Sequence, residues 1–314
     1  MADLYLVTGG AGFIGSHIID ELLSRGHRVR VLDNFSTGRR ENIAHVMDDI
    51  DLLEGDIQSY ERVHNAARGA DHVIHLAALP SVPRSVQDPL TTHQVNTTGT
   101  LNVLLAARDA GIKRVVIASS SSVYGANPVL PKREDLVLQP ISPYGVSKMA
   151  AEHYCTAFSQ VYGLQTVGLR YFNVFGARQN PNSQYSAVIP KFMTMAKEGE
   201  RAVIYGDGSQ TRDFTYVSNV VAGTLAASAA PDASGRVMNL ACGASHSLLD
   251  LVATIGRVVG RDLQYDCEPP RPGDIKDSFA DITLARELLG YEPTVGLEEG
   301  ITLMARAIEE DACR

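Results

Sequence analysis

The chain has 314 residues, enough for two compact units with substantial cores. Its composition, 45% hydrophobic and 20% charged, is ordinary for a globular protein, and no apolar run reaches membrane-spanning length. A net charge of −8 without a lysine-arginine cluster argues against nucleic acid as the main partner, while leaving room for a polyanionic small ligand in a locally basic site.

The chain opens with Leu4-Tyr5-Leu6-Val7, a short buried strand, followed by Thr8-Gly9-Gly10-Ala11-Gly12-Phe13-Ile14-Gly15 and an amphipathic helix carrying Ile18, Ile19, Leu22 and Leu23. Each of three glycines has its own task. Gly9 permits the tight turn, Gly12 lets backbone approach a pyrophosphate, and Gly15 lets the helix lie against the sheet. An anion would sit at the helix N-terminus, where unpaired N–H groups and the dipole favour negative charge. A second strand, residues 29–32, ends in Asp33, eighteen residues after Gly15. An acid there suits both hydroxyls of an adenosine ribose and repels a 2′-phosphate, so NAD is expected rather than NADP; Arg39 and Arg40 could soften that preference.

Further on, Gly55-Asp56-Ile57 marks a strand end whose carboxylate could meet the adenine edge. The strand at residues 73–78 includes His75 and closes on Leu76-Ala77-Ala78, small enough to lie against a flat cofactor. A histidine inside a buried strand is more often a hydrogen-bonded core residue than a base. A loop over residues 80–89 contains Arg84. The long helix expected at about 90–110 carries Asn96, which either reaches the cofactor or holds a neighbouring loop. The strand at 115–118 ends in Ser119, Ser120, Ser121 and Ser122, at the carboxyl edge where parallel sheets bind ligands.

Ser142-Pro143 opens a helix with Tyr144, Lys148, Ala151, Tyr154 and Phe158 that stops at Gly163, and a further strand spans 166–171. These repeated βαβ units predict a doubly wound parallel α/β sheet over residues 1–172, with 216–242 returning to it. Residues 173–314 read as a smaller α/β lobe over the ligand edge. Helices are expected near 192–196, 217–229, 248–259, 284 and 297–310, and strands at 202–205, 237–241 and 263–267. Cys155 falls in a helix and Cys242 at a strand end, where a buried thiol is the ordinary role. The four cysteines show no metal or redox spacing, and no metal is expected. Met1-Ala2-Asp3 leads straight into the first strand, so the expectation is a cytoplasmic, soluble protein.

Tyr144 and Lys148 stand four apart on one helix and face the same way. A phenol is a poor base at neutral pH. A neighbouring ammonium and the positive charge of oxidised nicotinamide would favour the phenolate. With Ser120 or Ser122 orienting the substrate oxygen, the set can take a proton from an alcohol while hydride leaves the carbinol carbon.

At this point the chain resembles the extended short-chain dehydrogenase/reductases, and among them the UDP-galactose/UDP-N-acetylglucosamine 4-epimerase family. The resemblance covers essentially the whole length. It rests on the glycine motif through Ser16-His17, Asp33-Asn34, His75-Leu76-Ala77-Ala78, the serine run ending in Val123-Tyr124-Gly125, and Ser142-Pro143-Tyr144-Gly145 with Lys148. Arg170-Tyr171-Phe172-Asn173, Arg212-Asp213-Phe214 and Arg271-Pro272-Gly273-Asp274 extend it into the second lobe. It implies a Rossmann domain, a nucleotide-sugar lobe and a retained NAD. The sugar C4 hydroxyl would be oxidised, the 4-keto sugar would swing about its pyrophosphate, and hydride would return to the other face.

The same resemblance implies roles for individual residues. Gly9, Gly12, Phe13, Ile14, Gly15, Asp33, Asn34, Ser36, Gly38, Asp56, Ile57, Leu76, Ala77, Ala78, Asn96, Ser119 and Tyr171 would meet the cofactor, along with the catalytic Tyr144 and Lys148. Ser120 would be the catalytic serine, with Ser121, Ser122, Ser81 and Arg84 lining the sugar site. Asn173, Arg212 and Arg271 would bind the diphosphate or sugar, Asp274 the uridine ribose, and Val188 and Tyr205 would flank the uracil. Two arginines supply planar, permanently charged donors for a diphosphate. Ser121, Ser122 and Val123 offer neither the acidic pair of a 4,6-dehydratase nor the glutamate usual in UDP-glucuronate decarboxylases.

Ser278 occupies the family position that gates the sugar C2 pocket. Being small, it implies UDP-GlcNAc/UDP-GalNAc exchange, with or without UDP-Glc/UDP-Gal. UDP-glucuronate, paired by Arg84 or Arg178, is the alternative substrate, and a non-catalytic NAD-sensing protein is the alternative of a different class. A homodimer is expected through the helices at about 90–110 and 144–162, where Met149, Cys155 and Phe158 could supply apolar contacts or equally face the core.

Overall fold

A computed structural model describes residues 2–180, 188–270 and 275–312. Strand β1 (Leu4–Thr8) is buried along its whole length, because helices cover both faces of the sheet; it is therefore continuously apolar up to Thr8 and not alternating. Helix α1 (Phe13–Ser24), β2 (Arg28–Asp33), β3 (Ile50–Glu54), α2 (Tyr60–Ala67) and β4 (His72–His75) complete the first half. The second half comprises α3 (Val82–Gln87), α4 (Pro89–His93), α5 (Gly99–Asp109), β5 (Arg114–Ser120), α6 (Pro143–Tyr162) and β6 (Thr166–Tyr171).

All strands of the central sheet are parallel, in the order β3-β2-β1-β4-β5-β6 followed by Arg236–Leu240. The order reverses between β1 and β4, which opens the ligand crevice of a doubly wound sheet at that point. The seventh strand comes from the expected returning stretch and pairs with β6 in the register Val237↔Gly168. One long helix was expected over 90–110. The chain there is instead α4 and α5 joined through a π-turn at Gln94–Thr98, which holds the buried Asn96. Such turns insert one extra residue into a helix and often mark functional positions.

Helices α7 (Val188–Glu198), α8 (Val217–Ala229), α9 (Leu248–Val259), α10 (Thr283–Leu289) and α11 (Leu297–Ala312) follow. One apolar cluster joins Ile18, Ile19 and Leu22 of α1 to Phe192, Leu251 and Ile301 of the later helices, so the C-terminal part shares its core with the sheet. A second cluster packs Ala151, Cys155 and Phe158 of α6 against Val115 and Ile117 of β5. Cys155 and Phe158 therefore face the core, the second of the two roles open to them, and the half-buried Met149 packs against a third cluster. Among the described residues no helix is long and apolar enough to cross a membrane.

Candidate active site

The turn after β1 is built by close backbone approach. Gly9 has φ +73°, and a Cβ there would lie 2.6 Å from Ala77 N; a Cβ on Gly15 would lie 2.3 Å from the Gly9 carbonyl oxygen. Gly12 is the N-cap of α1 and brings no capping side chain. The first amide of the helix to bond back is Ser16, to Gly12 O at 3.1 Å, which leaves the N–H groups of Phe13, Ile14 and Gly15 as a cradle suited to a pyrophosphate. At the end of β2 the buried Asp33 accepts N–H bonds from Ala11 (2.9 Å) and Phe35 (2.8 Å). Burial raises its pKa, and those amides oppose the rise. A side chain on Gly38 would come within 3.0 Å of both carboxylate oxygens, so the loop fits only around a glycine.

Asn34 donates to Asp56 at 2.8 Å and Asn34 Oδ1 accepts from Ser36 N, which ties the loops after β2 and β3 together; Ile57 is buried beside them. Arg40 lies over the Phe35 ring at 4.1 Å and pairs with Glu54. It is thus engaged away from Asp33. These residues fit NAD: donors for the diphosphate, an acid for the ribose, and glycines wherever the backbone must come close.

Beneath this cradle, His75 is 4% exposed and bonded to Thr8 Oγ1 (2.7 Å) and Thr100 Oγ1 (2.9 Å). Burial, with help from Lys148, drives its pKa down to about 3, so it is a neutral core residue. The loop Leu76-Ala77-Ala78 lies along Gly9. Asn96 grips the following residue, accepting from Leu79 N (2.7 Å) and donating to Leu79 O (3.3 Å) and Ser147 Oγ (3.1 Å). Its side chain therefore holds the loop and does not reach into the crevice. Ser81 is the N-cap of α3, accepting from Arg84 N at 3.1 Å.

Ser120 at the tip of β5 caps the next turn, accepting from Ser122 N at 3.2 Å, and lies near enough to the Tyr144 phenol to lower its pKa. Ser121 and Ser122 continue this turn. Its neighbour Ser119 points to the opposite face, as strand geometry requires, and donates to Glu152. That hydroxyl is therefore turned away from the crevice. Tyr171, likewise expected at the cofactor, buries its ring and bonds Thr224 through its hydroxyl at 2.8 Å. Helix α6 starts on the Ser142 cap and Pro143, and this fixes Tyr144 and Lys148 on its inner side. Burial raises the Tyr144 pKa and Ser120 opposes it. Lys148 Nζ donates to Ala118 O at 2.8 Å, and burial lowers its pKa to about 8.

Past β6, Asn173 holds a left-handed backbone (φ +33°) and donates to Asp213 O at 3.0 Å. Strain of this kind in an exposed asparagine is typical of ligand clamps. The Asp213 carboxylate is fully buried and collects the N–H groups of Cys242 (3.0 Å), Gly243 (2.9 Å) and Ala280 (3.2 Å). It thereby ties three distant segments together, and no local sequence signal announces this. Next to it, Arg212 donates to Thr211 O and Lys276 O and sits in parallel register with Ser278. Tyr205 ends the strand Ala202–Tyr205, and Val188 begins α7. Arg271 and Asp274 lie outside the described residues.

A family model described as the NAD dependent epimerase/dehydratase family matches residues 5–241. The chain belongs to that family. It is 40% identical over 300 residues to a UDP-glucose 4-epimerase of Mycolicibacterium smegmatis, covering 94% of this chain and 95% of that one. The UDP-N-acetylglucosamine 4-epimerase of Methanobrevibacter ruminantium, solved with UDP-N-acetylmuramic acid, superposes with a TM-score of 0.94 at 38% identity, over 99% of this chain and 100% of that one. The UDP-glucose 4-epimerase of Thermotoga maritima, solved with UDP-glucose, gives 0.93 at 36% identity over 98% and 99%. As a member of an NAD dependent family, the protein uses the cofactor that its glycine cradle fits.

Gly15→Ala is expected to abolish cofactor retention, because its methyl group would press on backbone 2.3 Å away. The check is the NAD content of the purified variant after denaturation, compared with wild type.

Proposed function

We propose that the protein is an NAD-dependent 4-epimerase of UDP-hexoses that exchanges UDP-GlcNAc with UDP-GalNAc and accepts UDP-Glc and UDP-Gal as well. The observation that carries this reading is the convergence of Ser120, Tyr144 and Lys148 at the carboxyl edge of β5, close to the β1–β4 crevice. The named activities of the relatives support the UDP-sugar assignment. Bound NAD supplies a reversible hydride acceptor for the sugar C4.

The chain's own residues handle the proton and the positioning. Ser120 orients the C4 hydroxyl. Tyr144 takes its proton and later returns it. Lys148, mostly protonated at neutral pH with a pKa of about 8, provides a positive charge one helical turn away that favours the phenolate against its burial. Asn173 and Arg212 hold the diphosphate, with Arg271 and Asp274 completing the nucleotide site. Asn34, Asp56 and Asp33 hold the adenosine half of the cofactor.

Two features weigh against the alternatives. Arg178, a candidate partner for a sugar carboxylate, is paired with Asp20 of α1 at 2.7 Å. Tyr144 and Lys148, whose loss would mark a non-catalytic NAD-sensing protein, are both present and buried together. The N-acetyl preference rests on Ser278, whose small side chain stands beside Arg212 and leaves room at the sugar C2.

The test is product analysis on UDP-Glc, UDP-GlcNAc, UDP-GlcA and UDP-GalNAc separately, with no added reductant. Tyr144→Phe is expected to lower kcat by about 10²–10⁴-fold. Ser278→Tyr is expected to lose UDP-GlcNAc turnover while keeping UDP-Glc. Turnover of UDP-Glc alone by wild type would overturn the N-acetyl reading and keep the epimerase.

The same reading includes a homodimer. Val86, Leu90, Val146, Tyr154, Val161 and Tyr162 are exposed on α3, α4 and α6, and Val146 also lines a cavity with Pro89, His93 and Ile141. An apolar face of this kind is usually covered. Leu90→Glu with Val161→Glu is expected to convert the dimer to a monomer in light scattering, and a monomeric wild type would refute the dimer.

A further inference from the structure

The acid one turn beyond Lys148 on α6 takes no part in the mechanism above. Glu152 is 3% exposed and lies on the same side of the helix as Lys148, four residues on. Ser119 of β5 and Arg170 of β6 are register partners on adjacent strands, and both turn toward α6. They converge on the Glu152 carboxylate. Arg170 grips it with two bonds, Nε to Oε1 at 3.0 Å and Nη2 to Oε2 at 2.8 Å, and Ser119 Oγ donates to Oε1.

The guanidinium is held in turn. Its Nη1 donates to Tyr124 OH at 2.8 Å and its plane lies 4.8 Å over the Tyr124 ring. Tyr124 OH donates to Asn239 Oδ1 at 2.7 Å on the last strand, and Asn239 donates to the Lys132 and Asp281 carbonyls. The carboxylate is thus fixed to three strands and has little freedom to move. Its distal end faces a cavity of roughly 600 Å³ at the sheet edge, lined by Glu134, His153, Arg236 and Asp281.

We propose that Glu152 is a positioning residue for the acid–base pair, its immobilised carboxylate standing one turn along α6 as the fixed counter-charge of the Lys148 ammonium, which the Ala118 carbonyl holds in place. This rests on the assignment of Tyr144 and Lys148 as that pair. The charged and titratable groups around Lys148 leave Glu152 as the compensating anion. In the protein without cofactor, His75 on β4 is neutral, burial raises the Tyr144 pKa and keeps its phenol protonated, and Arg170 on β6 carries the same sign as the lysine and binds the other side of Glu152. Burial lowers the Lys148 pKa, and Glu152 is the charge that raises it again. Without it the Lys148 pKa would fall further, and a larger share of the lysine would be uncharged at neutral pH. Ser119 adds a mechanical link, because the residue before it supplies the Ala118 carbonyl that accepts from Lys148 Nζ.

A buried ion pair is by itself weak evidence of anything but local order. The test therefore compares Glu152→Gln with the double variant Glu152→Gln/Arg170→Met, which removes both buried charges and stays foldable if the single one does not. The readouts are the kcat–pH profile and an NMR titration of 13Cε-labelled Lys148 in substrate-free protein. The alkaline limb and the Lys148 midpoint are expected to move down together by about one pH unit in both variants. Wild-type profiles and midpoints, with only a lower Tm, would make the pair structural and overturn the proposal. Full activity in Lys148→Met would overturn it in a distinguishable way, by removing the acid–base assignment beneath it.

Discussion

The main chain at Gly9 runs so close to Ala77 that a single added carbon would lie 2.6 Å from the Ala77 nitrogen. This contact joins the ends of β1 and β4 across the point where strand order reverses. Because the two backbones meet there, α1 begins directly over the crevice with its first amides unpaired, and Leu76-Ala77-Ala78 forms a flat floor under them. Helix α6 then lies across β5 and β6, so Tyr144 and Ser120 meet at the same rim. Neither the anion cradle nor the phenol would face the crevice if β1 and β4 stood further apart.

Burial is the electrostatic theme of the site. Desolvation raises Asp33, Tyr144 and Asp213 and lowers His75 and Lys148. What differs is the compensation. Asp213, pushed up to about 6, is held by backbone N–H groups alone. Asp33 has the amides of Ala11 and Phe35 as well. His75 has two threonine hydroxyls and stays neutral. Lys148 is buried too, and it has a fixed anion one turn away that opposes the loss of its charge. The contrast is between neutral neighbours and one lysine with a fixed anion on its own helix.

The polar interior also explains why the second part of the chain does not behave as an independent cap. Asp213 binds segments around residues 213, 242 and 280, and Asn239 of the last sheet strand joins Lys132 and Asp281. Arg212 and Ser278 are therefore positioned by the same bonds that close the sheet edge.

Much of this was legible in the sequence, and for one reason: the signals are local. Gly9, Gly12 and Gly15 act within one turn, Ser142-Pro143 starts α6 and Gly163 in left-handed conformation ends it, and Tyr144 and Lys148 meet through helical spacing alone. Glu152 lay within reach of the same reasoning, being a further four residues on. The tertiary structure decided what depends on residues far apart in the chain. It directed Ser119 inward to Glu152, gave the Asn96 amide to Leu79 and Ser147, buried Tyr171 against Thr224, and brought Arg236–Leu240 back to finish the sheet. A polar side chain's role is set by which donors and acceptors surround it once water has left, and for these residues the partners come from elements that only the folded chain brings together.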